Sequence, residues 1–262
     1  MNTPRPALVI PASTEKRPFQ VHNNSALSAR PIRRATALTR RFQIASLDPS
    51  SGKAQEFVRI APALPVFENA FASLARGTLI ATQDGPVAIE DLQPGMMLRT
   101  ADNGFQPVLW IGSMTIVPHI PRHAKTICTL MRVTADSLGL NRPMPDLMLA
   151  PGARMLHRPT RDQQAILSPL QNHCDGESII RISPPTPVSV FHLAFARQQI
   201  IYANGLEIES YHPEVRIETR MSREMLALFL NLFPHVENLD DFGPAAPYLR
   251  LPLDQSETAL SA

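Results

Sequence analysis

The residues best equipped for chemistry are eight histidines and two cysteines. The histidines are His22, His119, His123, His157, His173, His192, His212 and His235. Only His119 and His123 are four apart, the spacing that lets two imidazoles share a metal on one helix face, and Pro118 and Pro121 deny that stretch a regular helix. Cys128 and Cys174 stand outside any CxxC or Cys/His cluster, and two cysteines cannot make a disulfide scaffold. The expectation is therefore two reduced structural thiols, no metal and no cofactor. A Gly-rich phosphate loop, HExxH, GxSxG and an EF-hand pattern are all missing.

Whatever chemistry the chain has must be positioned by its elements. The 262 residues include 26 Pro against 11 Gly, about twice the average Pro usage of roughly 5%. Proline removes a backbone donor and clashes with the preceding turn, which disfavours long helices. From Thr78 onward, short apolar runs are punctuated by turn residues every ten positions or so. Asp84-Gly85 follows Thr78 to Thr82, Pro94-Gly95 follows Val87 to Leu92, and Asp102-Asn103-Gly104 follows Met96 to Thr100. Val108 to Val117 comes next, and that rhythm predicts antiparallel strands joined by hairpins. Further strands are expected at Thr126 to Val133, Leu147 to Leu149, Met155 to His157, Ile179 to Ile182, Val188 to Phe195 and Gln199 to Ala203. Between Val58 and Ala75, the spacing of Val66, Phe67, Phe71 and Leu74 allows a short helical turn.

One amphipathic helix stands near the end. Met221, Met225, Leu228, Phe229 and Leu232 recur at helical spacing, Thr219 or Ser222 can cap the start, and Pro234 stops it. Leu226, Leu230 and Phe233 add a second apolar face, so this helix is expected to bury itself against the β body. Trp110, the one tryptophan, lies in an alternating strand and is expected in the core. The fold class read this way is all-β with one C-terminal amphipathic helix.

Charge divides the chain. Met1 to Ile44 holds eight basic residues against Glu15, a net +7, leaving −5 for the rest of a chain of net +2. With its prolines, the stretch 1–51 reads as a basic, flexible arm, 52–217 as the β domain, and 218–262 as a helix and tail packed on it. An arm of this charge could touch nucleic acid or another anionic surface, although no aromatic residues are interleaved to stack bases. No stretch approaches the ~20 apolar residues needed to span a bilayer, and no secretory signal is recognisable. The expected location is cytoplasmic, and the sequence names no protein partner.

Several blocks, in order, then resemble a known family. Ser73 to Thr82 with Asp84-Gly85-Pro86 and Gln93-Pro94-Gly95-Met96 is similar to the opening of the Hint domain shared by hedgehog proteins and inteins. Asp102 to Gly112, Arg132 to Gly139, Asp146 to Arg154, Val190 to Leu193 and Ile201 to Pro213 continue the likeness, nearest to the bacterial branch. The resemblance implies a pseudo-two-fold β fold in which two similar subdomains wrap a central cleft. It also implies an activity. In active members a cysteine at the first Hint position attacks the preceding carbonyl, assisted by a Thr/Ser-x-x-His motif, and the resulting thioester is hydrolysed, transferred or spliced.

That chemistry needs a nucleophile beside the bond, a proton donor for the leaving nitrogen and donors for the oxyanion. Here the resemblance places Ser73 at the nucleophile position and Ala150 and Ala153 at the Thr/Ser and His positions. An alanine delivers no proton, and a lost acid/base group costs roughly 10² to 10⁴ in rate. Asn204 is preceded by Ala203 and followed two residues on by Leu206, which argues against splicing. The expectation is a Hint-like module that has lost self-cleavage and serves in binding or structure. The alternative is autoproteolysis at Ala72-Ser73 by an N-to-O acyl shift at Ser73, with His157 or His192 recruited as the base.

Overall fold

The computed structural model describes residues 1, 38–48, 50–118, 128–158 and 164–253. Most of the basic arm and the His119/His123 loop lie outside the described residues. In chain order the strands are β1 (Thr39–Leu47), β2 (Ala54–Pro62), β3 (Leu74–Ala75), β4 (Leu79–Thr82), β5 (Gly85–Ala88), β6 (Met97–Arg99), β7 (Phe105–Pro107), β8 (Trp110–Ile116) and β9 (Leu130–Val133). β10 (Leu147–Leu149), β11 (Arg154–His157), β12 (Ile166–Pro169), β13 (Ile179–Ile182), β14 (Val188–Ala194), β15 (Ile200–Ala203), β16 (Leu206–Glu209) and β17 (Leu249–Arg250) follow. Two short helices, α1 (Pro65–Glu68) and α2 (Arg223–Leu230), complete the fold.

The strands form two sheets. The first has the order β13-β9-β10-β3-β14-β8-β1-β2 and the second β17-β12-β11-β16-β15-β4-β6-β7, with β5 beside β4. The hairpins sit where turn chemistry places them: Gly85 takes φ 110 at the β4–β5 turn, a backbone region that glycine enters without steric cost. The chain crosses between sheets at β3 and β4 and again at β10 and β11. The turn of the second crossing, Ala150 to Gly152, donates to the carbonyls of Ser73 and Ala72 just before β3, and this builds the site described below.

Among the described residues two large apolar clusters and a small one around Leu156, Leu167 and Ile200 make the core. One of the two is aromatic: Phe42, Phe67, Phe71, Trp110, Tyr211, Phe229, Phe233 and Phe242. Trp110 is fully buried, as its strand pattern predicts; its ring lies 4.7 Å from Phe233 and 5.1 Å from Phe71, and its indole N–H donates to the Leu232 carbonyl at 2.8 Å. The other is aliphatic, with Leu74, Ile80, Leu98, Ile111, Leu149 and Ile208. Fully burying side chains of this size is worth about 1.5–3 kcal/mol each.

α2 is capped by Ser222, whose hydroxyl accepts from the Met225 N–H. Phe229 and the following Leu232 and Phe233 are buried in the aromatic core, while Leu228 is 43% exposed. Met225, Leu226 and Leu230 are half-buried against the same core, so residues of both apolar faces pack there. Among the described residues no helix is long and apolar enough to cross a membrane.

The structure differs from the sequence reading in places. Thr39–Leu47, read as part of the arm, is β1, paired with β2 along its whole length and with β8 through Gln43 to Ser46. Phe42 and Ile44 alternate into the core, and Arg40 is tied to the buried Glu68, so part of the arm's positive charge belongs to the β body. β2 was also missed, because its exposed outer position leaves no apolar alternation. Val87 to Leu92, expected as a strand, is strand only to Ala88. Ile89 then buries, its N–H donating to the Thr78 carbonyl, and Glu90 turns back to accept from the Gly77 N–H.

Candidate functional site

The peptide bond between Ala72 and Ser73 enters β3, in the first sheet, from the chain that follows α1. β3 pairs with β14 in the register Leu74–Phe191 and Ala75–Val190. The Ser73 N–H also donates to the Phe191 carbonyl, at 3.1 Å, so two residues of one strand face one of the other. Such a bulge re-aims side chains and ends regular pairing. Across the bond lies the turn between β10 and β11. There the Ala150 N–H donates to the Ser73 carbonyl at 2.7 Å, and the Gly152 N–H donates to the Ala72 carbonyl at 2.8 Å.

A side chain at position 152 would collide with backbone. A Cβ there would lie 2.5 Å from the Ala72 carbonyl oxygen and 2.6 Å from that of Asn69. The turn therefore presses its backbone onto the peptide and polarises the Ala72 carbonyl, one of the donors that acyl chemistry requires. Ala150 and Ala153 are fully buried and contribute backbone alone. Ser73 is 0% exposed, and its Oγ has no hydrogen-bond partner.

His192, on β14, is 4% exposed and stands opposite Gly112 of β8. Burial, and after it the Arg250 guanidinium, holds its pKa down at about 3, only partly offset by backbone groups of Asn69 and Glu209. The imidazole is therefore neutral at pH 7. Neither of its ring nitrogens reaches hydrogen-bond geometry with a partner, so Ser73 and His192 sit on neighbouring strands without touching as nucleophile and base. His157 goes elsewhere. It ends β11 in the second sheet, with its ring 5.1 Å from that of His173. Burial and the nearby His157 lower the pKa of His173.

The splicing-type position is likewise occupied structurally. Asn204 takes a positive φ of 47; its side-chain oxygen accepts from the Leu79 N–H at 2.7 Å and its amide donates to the carbonyls of Pro145 and Asp146 at 3.1 Å. These bonds hold β15 against β4 and the loop before β10.

Sequence reasoning missed a buried ionic cluster beside the turn. Arg154, 1% exposed, donates to Glu209 at 3.0 Å and to the Leu251 carbonyl at 2.7 Å, and pairs with Glu214. Arg250 lies 2.5 Å from Glu209 and donates to the Pro213 and His212 carbonyls at 3.0 and 2.8 Å. Gln198 donates to Glu209 as well. The one sequence signal was charge at Glu209 inside an apolar strand. Arg154, Glu214 and Arg250 of this cluster line a cavity of about 260 Å³ with His192, Tyr211 and Gly152. Among the described residues no group of three His, Cys, Asp or Glu could hold a metal ion.

Among the solved structures similar over 53% of this chain are an intein-like domain and an intein. One is a bacterial intein-like domain from Clostridium thermocellum, with 12% identity, 99% of that chain covered and a TM-score of 0.35. The other is a DnaB intein from Synechocystis, with 12% identity, 99% of that chain covered and a TM-score of 0.34. No curated protein sequence matches the chain. Residues 72–215 match the Hint domain family. That span, more than half of the chain, begins at the residue whose carbonyl Gly152 holds and runs through every strand from β3 to β16, and on it the chain belongs to the Hint domain family.

Proposed function

We propose that this Hint domain does not cleave itself and acts as a binding or structural module. The carrying observation is Ser73: an alcohol, wholly buried and hydrogen-bonded to nothing, beside a turn whose two side chains at the family's acid/base positions are methyl groups. A serine hydroxyl is a weak nucleophile unless an adjacent base removes its proton. With Ala150 and Ala153 at those positions, the neutral His192 is the nearest candidate by strand order, and it makes no bond to Ser73.

A second reading, self-cleavage at Ala72-Ser73, draws support from the Gly152 donor on the Ala72 carbonyl. In that reading Oγ of Ser73 adds to the carbonyl carbon of Ala72, the C–N bond breaks, and the proton lost from Oγ ends on the freed Ser73 amine. His192 would have to carry that proton. The two readings separate when the wild-type chain and Ser73→Ala are incubated side by side with hydroxylamine, which cleaves esters. The first predicts indistinguishable, intact chains; hydroxylamine-dependent scission that Ser73→Ala abolishes supports the second and refutes the first.

A further inference from the structure

The cavity beside the Ala72-Ser73 bond is a built space with unused polar groups. Its volume, about 260 Å³, lies just below the range of roughly 300–1,000 Å³ typical of ligand sites. Its walls are mainly apolar, from Leu64, Val66, Ala70 and Ile217. His192 lines it, 4% exposed, with neither ring nitrogen in hydrogen-bond geometry. The backbone groups nearest in effect, at Asn69 and Glu209, both favour a protonated ring. A neutral imidazole has one N–H, so at least one nitrogen is left unmet in the apolar wall. The Tyr211 ring is 7% exposed on the same wall, and its hydroxyl makes no hydrogen bond with the described residues.

Charge sets the class of ligand. Within the cluster Arg154 and Arg250 are balanced by Glu209 and Glu214. Arg220 also lines the cavity, is exposed, and has no ion-pair partner among the described residues, which leaves the cavity one positive charge in excess.

We propose that this cavity binds a small organic carboxylate with an apolar body, its anionic end met by Arg220 at the rim and by the Tyr211 hydroxyl or the His192 N–H inside. The proposal rests on the reading that the Ala72-Ser73 bond stays intact, and it gives the binding module a site and a ligand class.

The test titrates the full chain with benzoate and hexanoate, and with the uncharged benzamide and hexanol, by calorimetry and thermal shift. Both carboxylates should bind saturably and raise Tm, at least about fivefold more tightly than their uncharged analogues. Arg220→Gln, at an exposed position that the fold does not need, should weaken benzoate by at least about fivefold, and Tyr211→Phe by about threefold. The His192 ring resonances should shift on binding. Equal affinity for benzoate and benzamide, or no effect of Arg220→Gln, overturns the proposal. Intact mass of the same samples keeps the two ideas apart. A fragment beginning at Ser73 overturns the reading beneath the proposal, whereas an intact chain that binds no carboxylate overturns the proposal alone.

Discussion

Acid should weaken this protein well before its carboxylates titrate, because two histidines are buried neutral. Burial and the Arg250 guanidinium hold His192 at about 3, and burial holds His235, in the aromatic core, at about 4. Both values lie below the 6.5 of a free imidazole, so between those limits the unfolded chain binds more protons than the folded one. The stability is complete above pH 6.5 and is lost as pH falls toward the folded values. At pH 5 each histidine costs roughly 2 kcal/mol, from about 1.36 kcal/mol per pH unit, and the pair about 4 kcal/mol. His173, whose pKa burial also lowers, acts in the same direction. The carboxylates that hydrogen bonds hold low, Asp48, Asp146, Asp175, Glu224 and Asp241, begin to matter only nearer their ordinary values of 3.8 and, for Glu224, 4.5. Urea unfolding at pH 8 and pH 5 measures the difference. His192→Phe and His235→Phe should each remove about 2 kcal/mol of the pH dependence, whatever they do to stability at pH 8. A wild-type loss below about 1 kcal/mol, or variants as acid-sensitive as wild type, would refute the reasoning.

Other perturbations probe the frame around the bond. Gly152→Ala forces a Cβ to within 2.5 Å of the Ala72 carbonyl oxygen, where only backbone could yield; a loss of about 1–3 kcal/mol or more in denaturant unfolding is expected. Glu209→Gln leaves Arg154 and Arg250 short of a buried countercharge and should cost about 3–5 kcal/mol, read by the same assay. Re-arming the site with Ser73→Cys, Ala150→Thr and Ala153→His should restore scission after residue 72, visible by mass spectrometry with added thiol. Ser73→Cys alone should be slower by about 10² or more. The imidazole at 153 enters a position only 1% exposed, so a cost of about 1–3 kcal/mol is expected, and circular dichroism checks that the triple variant folds.

Much of the fold was legible because turn chemistry is local. Asp84-Gly85 fixes the β4–β5 hairpin and Asn103-Gly104 the β6–β7 hairpin, Trp110 announces a core strand by alternation, and Ser222 marks the start of α2; Pro94-Gly95 instead turns the chain into β6 without joining paired strands. β1 was not legible, since the Phe42/Ile44 alternation is short and sits among arginines and prolines that read as a solvated arm; its pairing with β8 is a tertiary fact. Glu90 reads as an exposed strand charge until the structure shows it holding the Gly77 N–H.

At the site, Ser73, Ala150 and Ala153 were placed by blocks of sequence in order, and the turn does lie across the Ala72-Ser73 peptide. His157 looked available because it follows Ala153 closely. A strand, however, advances about 3.3 Å per residue, and four residues along β11 carry it to His173. Tyr211 and the Arg154–Glu209–Arg250 cluster were not legible, since no spacing rule joins residues so far apart in the chain.

The central claim is that the Ala72-Ser73 bond survives. Its most direct measurement is the intact mass of the purified chain over days at neutral pH, with and without hydroxylamine or thiol. The account predicts a single species at 29.0 kDa throughout; a fragment that accumulates with time and begins at Ser73 would contradict it.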